Sequence, residues 1–208
     1  MTFLYKLTYL DNKTRNATLW GEGITNTVDT CKFVELCSSN VIHAYTSPHI
    51  AVLLNCIHAK IKEPKLWLAE GEVVANAGAK VGCRSLTTIR EIDIPIWTLE
   101  MKVEFAIRCA LTVYKSSTFV EWVNKWLSGE DRSKETARTT AAICCAIDNT
   151  YNDYDDRMAR YAARDSAYAA VHIAYAVSYA ANTAYYATRC NSKVDIVKIA
   201  EEVYVRNL

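Results

Sequence analysis

Proline and glycine divide this chain into two kinds of territory. All three prolines (Pro48, Pro64, Pro95) and five of the six glycines precede residue 98, and only Gly129 follows. Both residue types punctuate turns and interrupt helices. The front must therefore be short elements joined by turns, and the back can hold long helices. The expected fold class is α+β: a small antiparallel sheet with one helix over 1–97, then an all-α, Ala/Tyr-rich helical bundle over 98–208. At 208 residues, each part is long enough to bury a core of its own.

In the front, Phe3–Leu10 alternates with Phe3, Tyr5, Leu7 and Tyr9 on one side, the period of a strand. Trp20-Gly21-Glu22-Gly23 reads as a turn. Pro48 can open a helix over His49–Ala59, since proline suits a first helical turn. Lys65–Val74 is the next strand, Asn76-Ala77-Gly78 a hairpin turn, and Val81–Ile94 supplies one or two further strands.

The back opens with a helix over Leu99–Tyr114, where Phe105, Ala106, Cys109, Ala110 and Val113 recur at helical spacing. Ser116-Ser117-Thr118 offers a cap for Phe119–Leu127, and Ser128-Gly129 ends that helix. Asp131 or Ser133 caps a third helix, with Glu135 in its first turn. Within Ala159–Thr188, Tyr161, Tyr168 and Tyr175 lie seven apart, Tyr179 and Tyr186 continue the interval one turn on, and Ala162, Ala169 and Ala176 keep it beside them. On a helix this makes a tyrosine stripe next to an alanine stripe, and such stripes are usually buried. Asn191-Ser192 breaks the chain before a last helix over Val194–Val205.

The charge balance narrows the function. A net charge of +1 argues against a general nucleic-acid binder, which needs a surplus of Lys and Arg to neutralise phosphates. Met1–Leu10 is interrupted by Lys6 and followed by Asp11-Asn12-Lys13, too short and polar for a secretory signal. The longest apolar run, near Ile50–Cys56, falls far short of a membrane span. A cytoplasmic protein without a membrane partner is expected. The eight cysteines show no CxxC spacing and sit mostly among apolar neighbours, so they read as reduced and structural.

No specific catalytic pattern is present: GxSxG, HExxH, P-loop and GxGxxG are all missing. His49 and His58, nine apart, would point opposite ways on one helix and cannot share a zinc ion. Asp153, Asp155 and Asp156 lack the glycine and terminal glutamate of a calcium loop and read as a charged helix start or a kink. Neither a metal, a cofactor nor a catalytic residue is assigned. Glu70 and Glu72 share one strand face and could in principle form an acid/base pair, although solvated strand carboxylates are commoner.

Two stretches carry resemblances. Ile42-His43-Ala44-Tyr45, Leu68-Ala69-Glu70-Gly71-Glu72-Val73-Val74 and Thr88-Ile89-Arg90-Glu91-Ile92 resemble an uncharacterised small α+β domain of tailed-phage proteins, with Val41 where that domain has glycine. Its layout is similar to ADP-ribosyltransferase-like folds. Trp126-Leu127-Ser128-Gly129-Glu130, followed by Ala-rich helices ending in Ala184-Tyr185-Tyr186-Ala187, resembles helical bacterial immunity-type proteins. These resemblances imply a phage accessory protein in the host cytoplasm that binds and inhibits a host or defence protein. Tyr and Trp dominate interface hot spots, which agrees with that role. His43, Tyr45, Glu70, Glu72, Trp122 and Trp126 are the residues expected to make binding contacts. The alternatives are an ADP-ribosyltransferase-like enzyme with a front pocket around His43, Tyr45, Glu70 and Glu72, and a scaffold that forms homo-oligomers through an exposed Ala/Tyr surface.

Overall fold

The computed structural model describes residues 3–28, 34–36, 38–146 and 153–208, with 145 and 146 described by backbone alone. The chain separates into two compact units, Met1–Ile96 and Trp97–Leu208. The fold class is α+β, with a small antiparallel sheet in the first unit and helices throughout the second.

The first unit runs β1 (Leu4–Thr8), β2 (Thr25–Thr27), β3 (Ile42–Tyr45), α1 (Pro48–His58), β4 (Lys65–Asn76) and β5 (Lys80–Ile92). Every strand pair is antiparallel and the order is β2-β5-β3-β1-β4, with β4 pairing back onto β5. That last pairing closes β5, β3, β1 and β4 into a barrel-like ring, and β2 extends the free edge of β5. The β4–β5 hairpin is long enough to curl because three register shifts, near Leu68, Gly71 and Val73, bend it. Gly71 is required at one of them: a Cβ there would lie 2.3 Å from the Ser85 carbonyl oxygen. The turn forms where expected, with the Gly78 amide donating to Asn76 Oδ1 at 2.7 Å and Gly78 at φ 76°.

Two strands were not foreseen. Thr25–Thr27 and Ile42–Tyr45 are too short to show a convincing alternation alone; each exists because β5 offers an edge to pair with. Both sides of β1 contribute buried residues, with Leu7 buried on the side that carries Phe3, Tyr5 and Tyr9. Leu4, Lys6 and Thr8 are buried, whereas Phe3 and Tyr9 are exposed. Leu4, Ile42, Ala44, Ala69, Val81, Cys83 and Leu86 form the ring's core together with Trp20, which the 9–20 loop delivers into it. Helix α1 starts at Pro48 as expected and packs Ile50, Ala51, Leu53 and Leu54 inward, against β1 and β3.

The second unit contains α2 (Leu99–Leu111), α3 (Ser117–Ser128), α4 (Lys134–Ala146), α5 (Tyr154–Val171), a 3-10 turn (Ile173–Tyr175), α6 (Ala176–Cys190) and α7 (Ile196–Arg206). Helix α2 is the hub, buried on Met101, Val103, Phe105, Ala106, Ile107, Cys109 and Ala110, and touched by α5, α6 and α7. The caps follow the sequence: Ser116 Oγ accepts from the Phe119 amide, Gly129 takes a left-handed φ of 82° after α3, and Asp153 caps α5.

The heptad stripe is not carried by one helix. The backbone leaves helical geometry at His172 (φ −108°, ψ 82°) and α6 returns antiparallel along α5. The tyrosines therefore meet across the hairpin: Tyr161 stands 5.4 Å from Tyr186, and Tyr168 5.5 Å from Tyr179, ring centre to ring centre. The core position belongs to the small residues. Ala162 and Ala169 are wholly buried and Ala176 nearly so, while the rings lie half-exposed along the seam and Tyr175 is 64% exposed. An expected tyrosine core is thus an alanine core with a tyrosine margin, because only a methyl group lets the helix axes come close. No helix among the described residues is long and apolar enough to cross a membrane.

Candidate functional site

The ring is barely closed at one place. β1 pairs with β4 through five register pairs but meets β3 only at Tyr5–Tyr45. Beyond that pair β3 carries its ladder on β5 alone, from Ile42 to Tyr45, and its other backbone edge is left facing the parted strand β1. Lys6 fills this opening. Its ammonium donates to the His43 carbonyl oxygen at 2.8 Å and lies 4.7 Å from the centre of the Trp20 ring. Trp20 is held in turn by Nε1–H donation to Thr14 Oγ1 at 3.0 Å and by its amide bond to the Asn12 carbonyl.

A cleft of about 760 Å³ opens over this gap. Its walls come from β1, the 9–20 loop, β2, β3 and the C-terminal end of α1. The loop wall is conformationally demanding. Asn12, Asn16 and Ala17 all have positive φ, and for Ala17 (φ 57°) that is a costly region for a side chain with a Cβ. Lys6, Arg15, Lys80, His43 and His58 line the cleft, and no carboxylate does among the described residues.

The electrostatics follow from that one-sided lining. Lys6 is 9% exposed, and burial, assisted by the nearby Lys80 charge, lowers its pKa from 10.5 to about 8. Cys83 opposes that shift in part, while burial pushes its own thiol up to about 11. Burial and then the Lys80 charge lower His58 to about 4, and the same two causes lower His43. Both imidazoles are therefore neutral at pH 7. His43 Nε2 faces the Leu36 carbonyl, which only accepts, so this nitrogen carries the hydrogen. His58 stacks on Tyr45 with ring planes 14° apart, and its Nδ1 is buried with no partner among the described residues.

Of the residues expected from sequence to make contacts, His43 and Tyr45 line the cleft. Glu70 and Glu72 do not. Glu72 pairs with Arg84 at 3.1 Å on the hairpin, and Glu70 stands opposite Thr87 on β5. The front pocket around His43, Tyr45, Glu70 and Glu72 is not assembled. Trp122 and Trp126 are 5% and 4% exposed in the second unit, where their face of α3 is packed inward, so neither presents its ring to a partner. Cys83, Cys109 and Cys190 are free thiols, while Cys31, Cys37 and the Cys145 side chain lie outside the described residues. Among the described residues no three His, Cys, Asp or Glu side chains gather as a metal site would require.

Sequence reasoning missed Lys6, Trp20, His58 and Lys80 as a group. The one available signal was Lys6 itself, a charge inside the apolar run Phe3–Leu10, read there only as an interruption. No family model, curated protein or solved structure matches this chain, so the geometry alone carries the reading of the site.

The Lys6 shift has a definite sign. Its folded pKa of about 8 lies below 10.5, so between these values the unfolded chain keeps a proton that the folded chain has released. Stability contributed by this group therefore rises with pH through that window, and its penalty of roughly 3 kcal/mol stands in full below it. Cys83 acts in the opposite direction above pH 9, and comparison with a Lys6→Met variant removes all of that effect except the part that Lys6 itself imposes. Urea unfolding from pH 7 to 10 should show the wild type gaining roughly 3 kcal/mol relative to Lys6→Met. Parallel pH profiles for the two proteins would contradict the shift.

Proposed function

We propose that this chain is a binding protein whose barrel-like unit takes a small anion into the cleft between β1 and β3. One observation carries the reading: a buried ammonium has a carbonyl and an aromatic face as its neighbours, but no carboxylate among the described residues. A buried charge without a counter-ion is expensive, and chains normally pair it or lose it. An anionic ligand supplies the missing charge. Lys80 and Arg15 on the same cleft favour a ligand with more than one negative charge, and Asn26 and Thr14 add neutral donors.

Inorganic phosphate is the simplest probe. At pH 7 it should raise the thermal midpoint of the wild type, by an amount equivalent to about 2.7 kcal/mol at a hundred times its Kd. Lys6→Met should lose this response. The ligand-free Lys6→Met protein should be the more stable by about 1–2 kcal/mol, since the removed charge outweighs the lost bond to His43. An equal phosphate response in both proteins, or none in the wild type, would overturn the reading.

A second reading concerns the helical unit and rests on a different observation. Along α5 and α6 the tyrosines are interleaved with arginines: Arg164 lies 4.7 Å over Tyr161, while Arg157 and Arg189 both approach Tyr154. Tyr154 and Tyr185 are 43% and 49% exposed. Tyr and Arg are the residues that anchor protein interfaces, and this band supports a role in binding and inhibiting a host or defence protein, as a phage accessory factor would. Affinity capture from the producing host, with wild type beside a Tyr154→Ser/Tyr185→Ser variant, tests it. A protein recovered by the wild type and lost by the variant supports the role; identical recoveries count against it.

A further inference from the structure

A lysine that is buried, lies in a cavity and has no carboxylate to hold its proton is also a nucleophile in waiting. Lys6 meets all three conditions among the described residues. Each contributes for its own reason. Burial against the apolar ring core disfavours the charged form and the Lys80 charge disfavours it further, outweighing the opposing pull of Cys83 and of the Trp20 ring face. Lys6 is among the residues that line the cleft at the opening between β1 and β3. The cleft volume leaves space for an adduct of small-molecule size.

We infer that Lys6 anchors its ligand covalently, as a reversible imine with a small anion that carries an aldehyde or ketone. This deepens the anion-binding reading and rests on it. In the step, the Lys6 Nζ lone pair attacks the carbonyl carbon and the carbonyl oxygen takes up a proton. The resulting carbinolamine loses water as the C=N bond forms. The products are one imine and one water, with no oxidant or reductant involved. The anionic end of the same molecule is held by the cations that share the cleft, Lys80 and Arg15.

The feature that separates Lys6 from the surface lysines is its supply of free amine. With a pKa of about 8, about one amine in five is unprotonated at pH 7.4, against about one in a thousand for an exposed lysine. Neutral His43, whose carbonyl holds the amine, adds no second charge beside it. Carbinolamine formation is therefore favoured here over the exposed lysines of the chain.

Pyridoxal 5′-phosphate is a suitable probe, since it joins an aldehyde to a phosphate dianion. The full-length chain is mixed at pH 7.4 with a limiting amount of it and reduced with borohydride, and the site of the added mass is mapped by peptide mass spectrometry. Labelling concentrated on the Lys6 peptide, at ten-fold or more over any other lysine, is the expected result. Lys6→Arg should abolish that label while keeping the phosphate-induced rise in thermal midpoint, because it retains the charge and lacks the nucleophile. Labels scattered over other lysines, in a protein that still responds to phosphate, would overturn the imine and leave anion binding intact. Absence of both label and phosphate response would overturn the two together.

Discussion

The first unit depends on an ammonium placed where two strands fail to meet. β1 and β3 share one register pair, and Lys6 bonds the His43 carbonyl that a longer ladder would have used. This arrangement closes the ring at the expense of burying a charge. It also leaves the seam accessible, since a side-chain bond bridges a gap that backbone pairing would have sealed. The cleft, the lowered Lys6 pKa and the neutral histidines follow from that geometry. The long β4–β5 hairpin supplies the rigid frame, bent at Gly71 where only a hydrogen atom fits against Ser85.

The second unit solves a different packing problem. Its helices come close because alanines occupy the contact positions, and closeness leaves no interior room for rings. The tyrosines move to the edges, where they stack across the α5–α6 hairpin and under arginines. Asp165 shows how tightly that seam is organised. It is 2% exposed, burial raises its pKa, and the Arg164 side chain pairs with it at 2.7 Å. Arg164 thus serves both the core and the exposed band.

Much of the architecture was legible in the residues. Proline and glycine placement marked a turn-rich front and a helical back, Pro48 marked the start of α1, and Asn76-Ala77-Gly78 marked the hairpin. The caps at Ser116 and Gly129 were equally local and equally readable. What escaped depended on tertiary pairing. β2 and β3 are strands because β5 presents an edge, and the Tyr stripe folds back because the backbone turns at His172. The site escaped for the same reason. His43 and Tyr45 drew notice through a local motif, but Lys6, Trp20 and Lys80 come together only when β1, a loop and β5 are brought side by side. Trp122 and Trp126 looked like anchors by residue type and are core by position.

The ionisation of the Lys6 amine itself is the most direct test of this account. Lysine labelled with carbon-13 at Cε, followed by NMR from pH 6 to 12 and assigned with Lys6→Arg, reports that amine alone. A midpoint near 8 that climbs when phosphate saturates the protein is the predicted result. A midpoint near 10.5, unmoved by phosphate, would mean that Lys6 is neither buried as a lone charge nor in contact with an anion.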